Sequence, residues 1–299
     1  MSNVNQALPS QKKKHKKLDV PQLIIIICLC LWALLIIYPF YNALLMSIVP
    51  YGVYVKEPFM LYPKGLDFSS YTFILHYPQM LTGFRTTLIV LVVGLTYNLF
   101  LTTTMAYGLS RNIPGSRWIN LYIVFTMFFS GGMIPGFLLI KNLGLIDSYF
   151  SMILPTGISI FNLMVMRSYF KTIPDALGEA ARIDGASELK ILTRIYLPLS
   201  TPMLATVALF YAVDRWNEWY NGMLYIRSID KQPLQLIVKN ILGSVTAVTS
   251  SIPLEARPTV FPNGIQMAAV IVAMLPIAIV YPFLQKYFVA GLTIGGVKE

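Results

Sequence analysis

The chain has 299 residues, of which 56% are hydrophobic and 12% charged, with a mean hydropathy of +0.64. That balance excludes an ordinary water-soluble domain, and continuous apolar blocks in place of short alternating strands exclude a β-barrel. The formal net charge of +10 could suit a nucleic acid by its sum, but the charges are placed as membrane flanks, so no nucleic-acid partner is expected.

Residues 1–19 are polar and basic, with five lysines and one histidine between positions 12 and 17. Such a flank predicts a cytoplasmic N-terminal tail. Six apolar runs follow, over 20–55, 86–110, 118–140, 148–166, 195–213 and 258–285, most long enough to supply the roughly 20 residues of a bilayer-crossing helix. The expectation is an all-α polytopic membrane protein with six transmembrane helices in a domain over 20–285. The first run is too long for a cleaved signal peptide, and Tyr38-Pro39-Phe40 lacks a small-residue processing site. Cys28 and Cys30 lie inside that run and imply neither a disulfide framework nor a metal site.

The first helix is predicted over about 20–46. Turn signals such as Tyr62-Pro63-Lys64-Gly65 make 47–85 an exported loop. The second span, about 86–110, ends at Arg111, and the compact turn at 112–116 makes it a neighbour of the third, about 118–140. That third span contains Gly131-Gly132-Met133-Ile134-Pro135-Gly136, which weakens a helix by about 1 kcal/mol per glycine and about 3 for proline. Two readings stay open there: a tight helix crossing, or a break that lines a translocation pathway. The fourth span, 148–166, holds Pro155, Gly157 and Asn162.

Residues 174–195 are predicted to form two short cytoplasmic helices. Ala176 to Ile183 make the first, with Asp175 and Glu179 favouring its N-terminal side, Asp184-Gly185 the turn, and Ala186 to Ile195 the second. The segment reads either as an amphipathic surface helix or as a docking surface, the latter because small residues sit beside bulky Ile183, Leu189 and Leu192. The fifth span, about 198–220, breaks the apolar rule at Asp214, Arg215, Asn217 and Glu218, in its outer half. Arg215 and Glu218 are spaced to meet on one helix face. Either they are a compensated structural pair, or, with Trp216 and Trp219, they form a face for a polar, hydroxyl-rich solute. A second exported loop spans 222–257, where Leu234, Ile237, Val238 and Ile241 predict a short interfacial helix. The last span, about 262–285, leads into a cytoplasmic tail over 286–299.

No Gly-rich phosphate loop ending in Gly-Lys-Ser or Gly-Lys-Thr is present, nor a His-Glu-x-x-His element, so no catalytic, cofactor-binding or metal residues are expected. The chain is not expected to be an enzyme. Transport is the natural use for six spans with internal breaks.

The string Glu179-Ala180-Ala181-x-x-Asp184-Gly185-Ala186, followed by Ile195-x-Leu197-Pro198, resembles the EAA motif of binding-protein-dependent ABC importer permeases. Asn162, Arg167, Phe170, Ile173-Pro174, Trp216-Asn217-Glu218 and the closing Val289-Ala290-Gly291-Leu292-Thr293-x-Gly295-Gly296-Val297-Lys298 resemble the maltose-type (MalG-like) sugar permeases. Gly131 to Pro135 and the long first loop are similar to the LplC/YtcP type of complex-oligosaccharide permease.

The resemblance implies a type I ABC importer transmembrane domain in a bacterial cytoplasmic membrane, inner or sole, with both termini inside. Its partners would be a second homologous permease, two ATP-binding subunits carrying ATP and Mg, an extracellular solute-binding protein and a sugar or oligosaccharide. Glu179, Ala180, Ala181, Asp184, Gly185 and Ala186 would form the coupling helix that sits in an ATPase cleft. Gly131, Gly132, Trp216, Asn217 and Glu218 would be candidates for the solute path, and Gly291 to Lys298 would reach toward the ATPases. Another polar solute, such as a glycerol phosphodiester, and a stand-alone secondary transporter remain as alternatives.

Overall fold

A computed structural model of the chain describes residues 20–57, 60–111, 114–129, 131–243 and 262–296. The expected N-terminal tail at 1–19, Ser130 of the third span, the outer loop beyond Gly243 as far as Phe261, and Val297 and Lys298 of the tail lie outside the described residues. In chain order the helices are α1 (Val20–Ile48), α2 (Tyr51–Lys56), α3 (Ser69–His76), α4 (Pro78–Ser110), α5 (Ser116–Phe128), α6 (Met133–Asn142), α7 (Phe150–Ile153), α8 (Ile160–Phe170) and α9 (Asp175–Ile183). Then come α10 (Glu188–Ile191), a π turn (Leu192–Tyr196), α11 (Leu197–Leu199), α12 (Thr201–Trp216), α13 (Tyr220–Tyr225), α14 (Leu234–Gly243) and α15 (Pro262–Gly296). No strand occurs among the described residues, and the fold is the all-α one expected.

The central element is α4. Its buried face runs Gly83, Thr87, Val90, Gly94, Asn98, Thr102, Ala106 and Leu109, a stripe at the three- and four-residue spacing of one helix face. The stripe is made of small and hydroxyl-bearing side chains. Apolar packing gives no preference for protein over lipid inside a bilayer, so helices meet where small residues let backbones approach and polar ones bond across. Accordingly α8, α12 and α14 all pack on α4. The lipid-like opposite is α1, whose side chains are exposed along most of its length and which buries only its last turns, at Leu45 and Ser47. It lies along α15, which also packs on α12, α3 and α14.

Three described helices are long and apolar enough to cross a membrane, namely α1, α4 and the Pro262–Pro282 part of α15, and the number rises to five if each of two bent pairs is one span. Several expected boundaries move. The second span begins at Pro78, so α4 runs through Arg85 and shortens the first outer loop, which itself holds α2 and α3. Charge marked the apolar boundary, but a helix backbone continues past a charge that reaches the interface. The third span divides into α5 and α6, with Gly132 at φ +89 as the cap of α6. A tight crossing at that break is not what is found: space for a side chain is open at both Gly131 and Gly132.

The expected fourth span is not one helix. Pro155 and Gly157 fall in a break between α7 and α8. The second short helix begins at Glu188 instead of Ala186, with Ser187 capping it, and the chain turns by 87° at Ser200 before α12. The fifth helix stops at Trp216, leaving Asn217 and Glu218 beyond it. The helix at Leu234 to Ile241 is present, but all four predicted residues are buried in the protein instead of lying on the interface. Finally, α15 continues to Gly296, so most of the expected tail is part of the last helix.

Candidate functional site

The first candidate site is built on α9. Asp175 lies in its first turn and Arg182 in its last, each sign placed where the helix dipole favours it. Its end is closed by a full Schellman arrangement: Gly185 N–H donates to Arg182 O at 3.0 Å and Ala186 N–H to Ala181 O at 2.9 Å. That geometry needs a left-handed residue after the cap, and Gly185 supplies it at φ +79. Ala181 and Ala186, the pair that the motif brackets, both pack on the core beneath. Gly178 is buried on the same side. The opposite side presents Leu177, Glu179, Ala180, Asp184 and Gly185 to the outside, with Ile183 at 87% and Leu189 at 66% exposure. Ile183 and Leu189 thus form an apolar ridge above a packed base.

The base is a cluster that the sequence did not reveal. Arg111, at the C-terminus of α4, donates through Nη2 to the Tyr107 hydroxyl at 2.9 Å. Its guanidinium carbon lies 4.5 Å from the Tyr107 ring centroid and 4.4 Å from that of Tyr196. Its Nη1 is 3.6 Å from Asp175 Oδ1. Tyr107 in turn donates its hydroxyl hydrogen to Glu188 Oε2. The other carboxylate oxygen of Glu188 accepts from Arg182 Nε at 2.6 Å. The Arg182 bonds, followed by that from Tyr107, hold the Glu188 carboxyl down at about 2. Arg167 Nε donates to Leu109 O at 2.9 Å, taking up one of the carbonyls left free at the end of α4.

The second candidate site lies at the far end of α12. Arg215 is 3% exposed, and each of its five bonds is to an uncharged oxygen. Nε donates to Asn98 Oδ1 at 3.0 Å, Nη1 to Met152 O at 2.8 Å and Thr156 Oγ1 at 2.6 Å, and Nη2 to Ile153 O at 3.2 Å and Thr156 O at 2.9 Å. Asn98 Nδ2 donates to Thr156 O and Gly157 O, each at 2.7 Å, and Ser159 N–H donates to the Tyr211 hydroxyl at 2.9 Å. Together they satisfy the backbone that the α7–α8 break leaves without helical partners, as a membrane interior requires.

The expected Arg215–Glu218 pair is therefore replaced. Glu218, past the end of α12, accepts from Asn221 N and Nδ2, each at 3.0 Å. Trp216 is a core residue: its ring meets Phe84 edge-on at 6.3 Å, and its Nε1–H donates to Ala273 O at 3.3 Å. The Trp219 ring is covered by Lys239, whose Nζ is 3.5 Å from its centroid. Asn217 is exposed and its Nδ2 donates to Val213 O at 2.9 Å.

Two cavities open along the same stretch. One, of about 370 Å³, is lined by Pro155, Thr156, Ser159, Asp214 and Glu218 among others, and the second, of about 420 Å³, by Ser159, Phe161, Asn162, Phe210, Asp214 and Tyr281. Of the predicted solute residues only Glu218 lines either, while Asp214 lines both. Sequence reading missed Asn98, whose amide within a charge-free span is the signal that would have marked this site, since a polar side chain in a span points to a partner or a pathway.

Just before α7, Asp147 holds the chain after α13. Its carboxylate accepts from Arg227 N at 3.1 Å, Ser228 N at 2.9 Å and Lys231 Nζ at 3.1 Å, and the Ser228 hydroxyl and backbone bonds keep its pKa well below the usual carboxylate range.

A family model for the binding-protein-dependent transport system inner membrane component matches residues 99–294. The chain belongs to this family of importer permeases. The match contains α9, Arg215 and all but the end of the last helix. Protein LplC of Bacillus subtilis is 40% identical over 265 residues, covering 88% of this chain and 89% of its own. The polygalacturonan/rhamnogalacturonan transport system permease protein YtcP of the same organism is 38% identical over 278 residues, covering 90% and 95%. A solved bacterial ABC transporter, described as involved in import of the acidic polysaccharide alginate, contains a chain that superposes with a TM-score of 0.83. That chain is 33% identical, and the match covers 94% of this chain and all of that one. The resemblance carried by Glu179 to Ala186 is borne out, and the permease fold is that of a type I importer. Permeases of this family are membrane components and not themselves ATPases.

Proposed function

We propose that this permease forms half of the translocation pathway of an ATP-driven oligosaccharide importer, and that α9 is the helix through which a separate ATPase drives it. The observation that carries this reading is the α9 ridge: Ile183 and Leu189 stand out while the Schellman closure at Gly185 and the Arg111 cluster fix the helix from beneath. Glu179, Ala180, Ala181, Asp184, Gly185 and Ala186 are the coupling residues. A second, homologous permease, two ATP-binding subunits with ATP and Mg, and an external binding protein complete the assembly. The basic tail at 1–19 and the end of α15 are cytoplasmic. Oligosaccharide as solute is supported by the names of two relatives, the polygalacturonan/rhamnogalacturonan permease YtcP and the arabinooligosaccharide permease AraQ of Bacillus subtilis, the latter 28% identical over 274 residues.

The solute path proposed here includes Gly131 and Gly132 at the open break, Asn217 and Glu218 near the cavities, and Trp216 as the wall behind them. Asp214 joins this set because it lines both cavities.

In vesicles containing the whole importer, Gly185→Leu places a branched side chain in a left-handed position on the ridge, and Glu179→Lys reverses a charge there. Both variants are expected to insert normally and to lose stimulation of ATP hydrolysis by the loaded binding protein. Undiminished stimulation in both would remove α9 as the coupling helix.

A further inference from the structure

The Arg111 cluster holds α9 at both of its ends. At the start of α9, Asp175 faces Arg111 Nη1 at 3.6 Å; at its end, Arg182 bonds Glu188, which accepts the Tyr107 hydroxyl hydrogen, and that hydroxyl accepts from Arg111. The bonds close a ring whose two anchors, Tyr107 and Arg111, are one turn apart on α4. A helix fixed at one end can pivot; a helix fixed at both ends transmits its tilt. Gly178, in the middle of α9, faces Arg111, since a Cβ there would stand 3.3 Å from Arg111 Nη2. The exposed Arg182–Glu188 pair contributes little by itself, with side chains 40% and 55% exposed. Its value lies in joining the ring, because Arg111 is only 15% exposed and stacked between Tyr107 and Tyr196.

The same helix leads inward to the second site. Asn98, the partner of Arg215, lies roughly 20 Å along α4 from Arg111 at about 1.5 Å per residue. A rigid α4 thus joins the docking ridge to the residues that hold the α7–α8 break, a contiguous physical connection between the two ends of the molecule.

We propose that Tyr107, Arg111 and Glu188 are positioning residues that transmit movement of α9 into α4, so that ATPase closure reshapes the pathway around Arg215. The proposal rests on α9 being the coupling helix. Sequence reading assigns these residues no such part: Arg111 reads only as the end of the second span, and Tyr107 and Glu188 carry no signal of their own.

The test uses the whole importer in proteoliposomes with its binding protein, measuring solute uptake and ATP hydrolysis in the same vesicles. Tyr107→Phe removes one oxygen and leaves the ring against Arg111. It is expected to retain stimulated ATP hydrolysis while uptake per ATP falls about 5-fold or more, the lower end of coupling between distant sites. Arg111→Gln should fall further, and Arg111→Lys should recover part of the loss by restoring charge toward Asp175. The double variant Tyr107→Phe with Glu188→Gln should be no worse than the poorer single variant, because both break the same link. Uptake per ATP equal to that of the unmodified importer in Tyr107→Phe, or losses that simply multiply in the double variant, would overturn the relay. Arg111→Gln could fail to assemble, and the one-atom Tyr107→Phe decides the question in that case. Loss of stimulated hydrolysis in Gly185→Leu with Tyr107→Phe fully coupled would sink the relay alone; an unmodified importer indifferent to its loaded binding protein would remove the functional reading and the relay with it.

Discussion

Arg111 and Arg215 each lie against a glycine of a neighbouring helix, yet they are held in opposite ways. Arg215 spends every N–H on neutral oxygens, three of them backbone carbonyls from the break in the fourth crossing. Arg111 lies between two aromatic faces, with one edge toward Asp175, a carboxylate that is 72% exposed. Backbone acceptors away from water have no solvent to turn to, and five acceptors in all hold one guanidinium at once, so the Arg215 site tolerates one arrangement. Ring faces and a solvated carboxylate allow a guanidinium to slide while staying attached. The Arg215 site is a pin and the Arg111 site a joint.

The largest expected effect breaks the pin. Arg215→Met strips the Arg215 donor from Asn98 Oδ1 and Ile153 O, and leaves Met152 O and Thr156 O one side-chain donor each, at about 1–3 kcal/mol for each buried orphan. Thermal melting of the purified permease complex should collapse, and Arg215→Lys, with three donors on a flexible stem, should restore little of it. A melting temperature equal to that of the unmodified complex in Arg215→Met would erase the distinction between pin and joint.

A smaller effect compares the two glycines. A Cβ at Gly94 would come within 2.9 Å of Arg215 Nε, in the middle of a side chain whose head is fixed, whereas at Gly178 it would meet the tip of Arg111 at 3.3 Å. Gly94→Ala is expected to destabilise by about 1–3 kcal/mol through overpacking. In Gly178→Ala a gain in helix propensity of about 0.8–1.0 kcal/mol offsets a slight shift of Arg111, so its stability should stay near that of the unmodified chain. Equal losses in both variants, read by denaturation in detergent, would show that the joint is as stiff as the pin.

The smallest effect is one of pH. The folded state holds Glu188 at about 2, below the ordinary carboxylate range, so the tether is fully present above about 4.3 and is lost only as pH falls through about 2. Uptake per ATP should therefore show no titration from Glu188 between about pH 5 and 8. A step in that window that vanishes in Glu188→Gln would mean the carboxyl is not held by Arg182 and Tyr107.

Much of the ridge was legible because its causes are local. The end of α9 is closed by Gly185 N–H on Arg182 O and Ala186 N–H on Ala181 O, partners at most five residues apart, so the residue types announce the shape. The Arg215 site was legible only in part. Asp214, Arg215 and Glu218 stood out as ionisable groups in an apolar span, but their spacing suggested a pair on one helix face. That pairing fails because α12 ends at Trp216 and because five acceptors from elsewhere in the fold already take every N–H of Arg215. Likewise Leu234, Ile237, Val238 and Ile241 gave the helix α14 correctly by period, while the period could not tell protein from lipid as the surface they cover.

By itself the sequence determined a membrane-embedded helical chain, the turn chemistry of α9 and the places where glycine and proline interrupt a span, since each depends on residues a few positions apart. Tertiary structure alone decided where the freed polar groups find partners. Asn98 and Arg215 are 117 positions apart, and Tyr107 and Glu188 are 81 apart. Inside a bilayer no water can satisfy a freed backbone group, so its partner must be another part of the chain, and only the packing of whole helices determines which part that is.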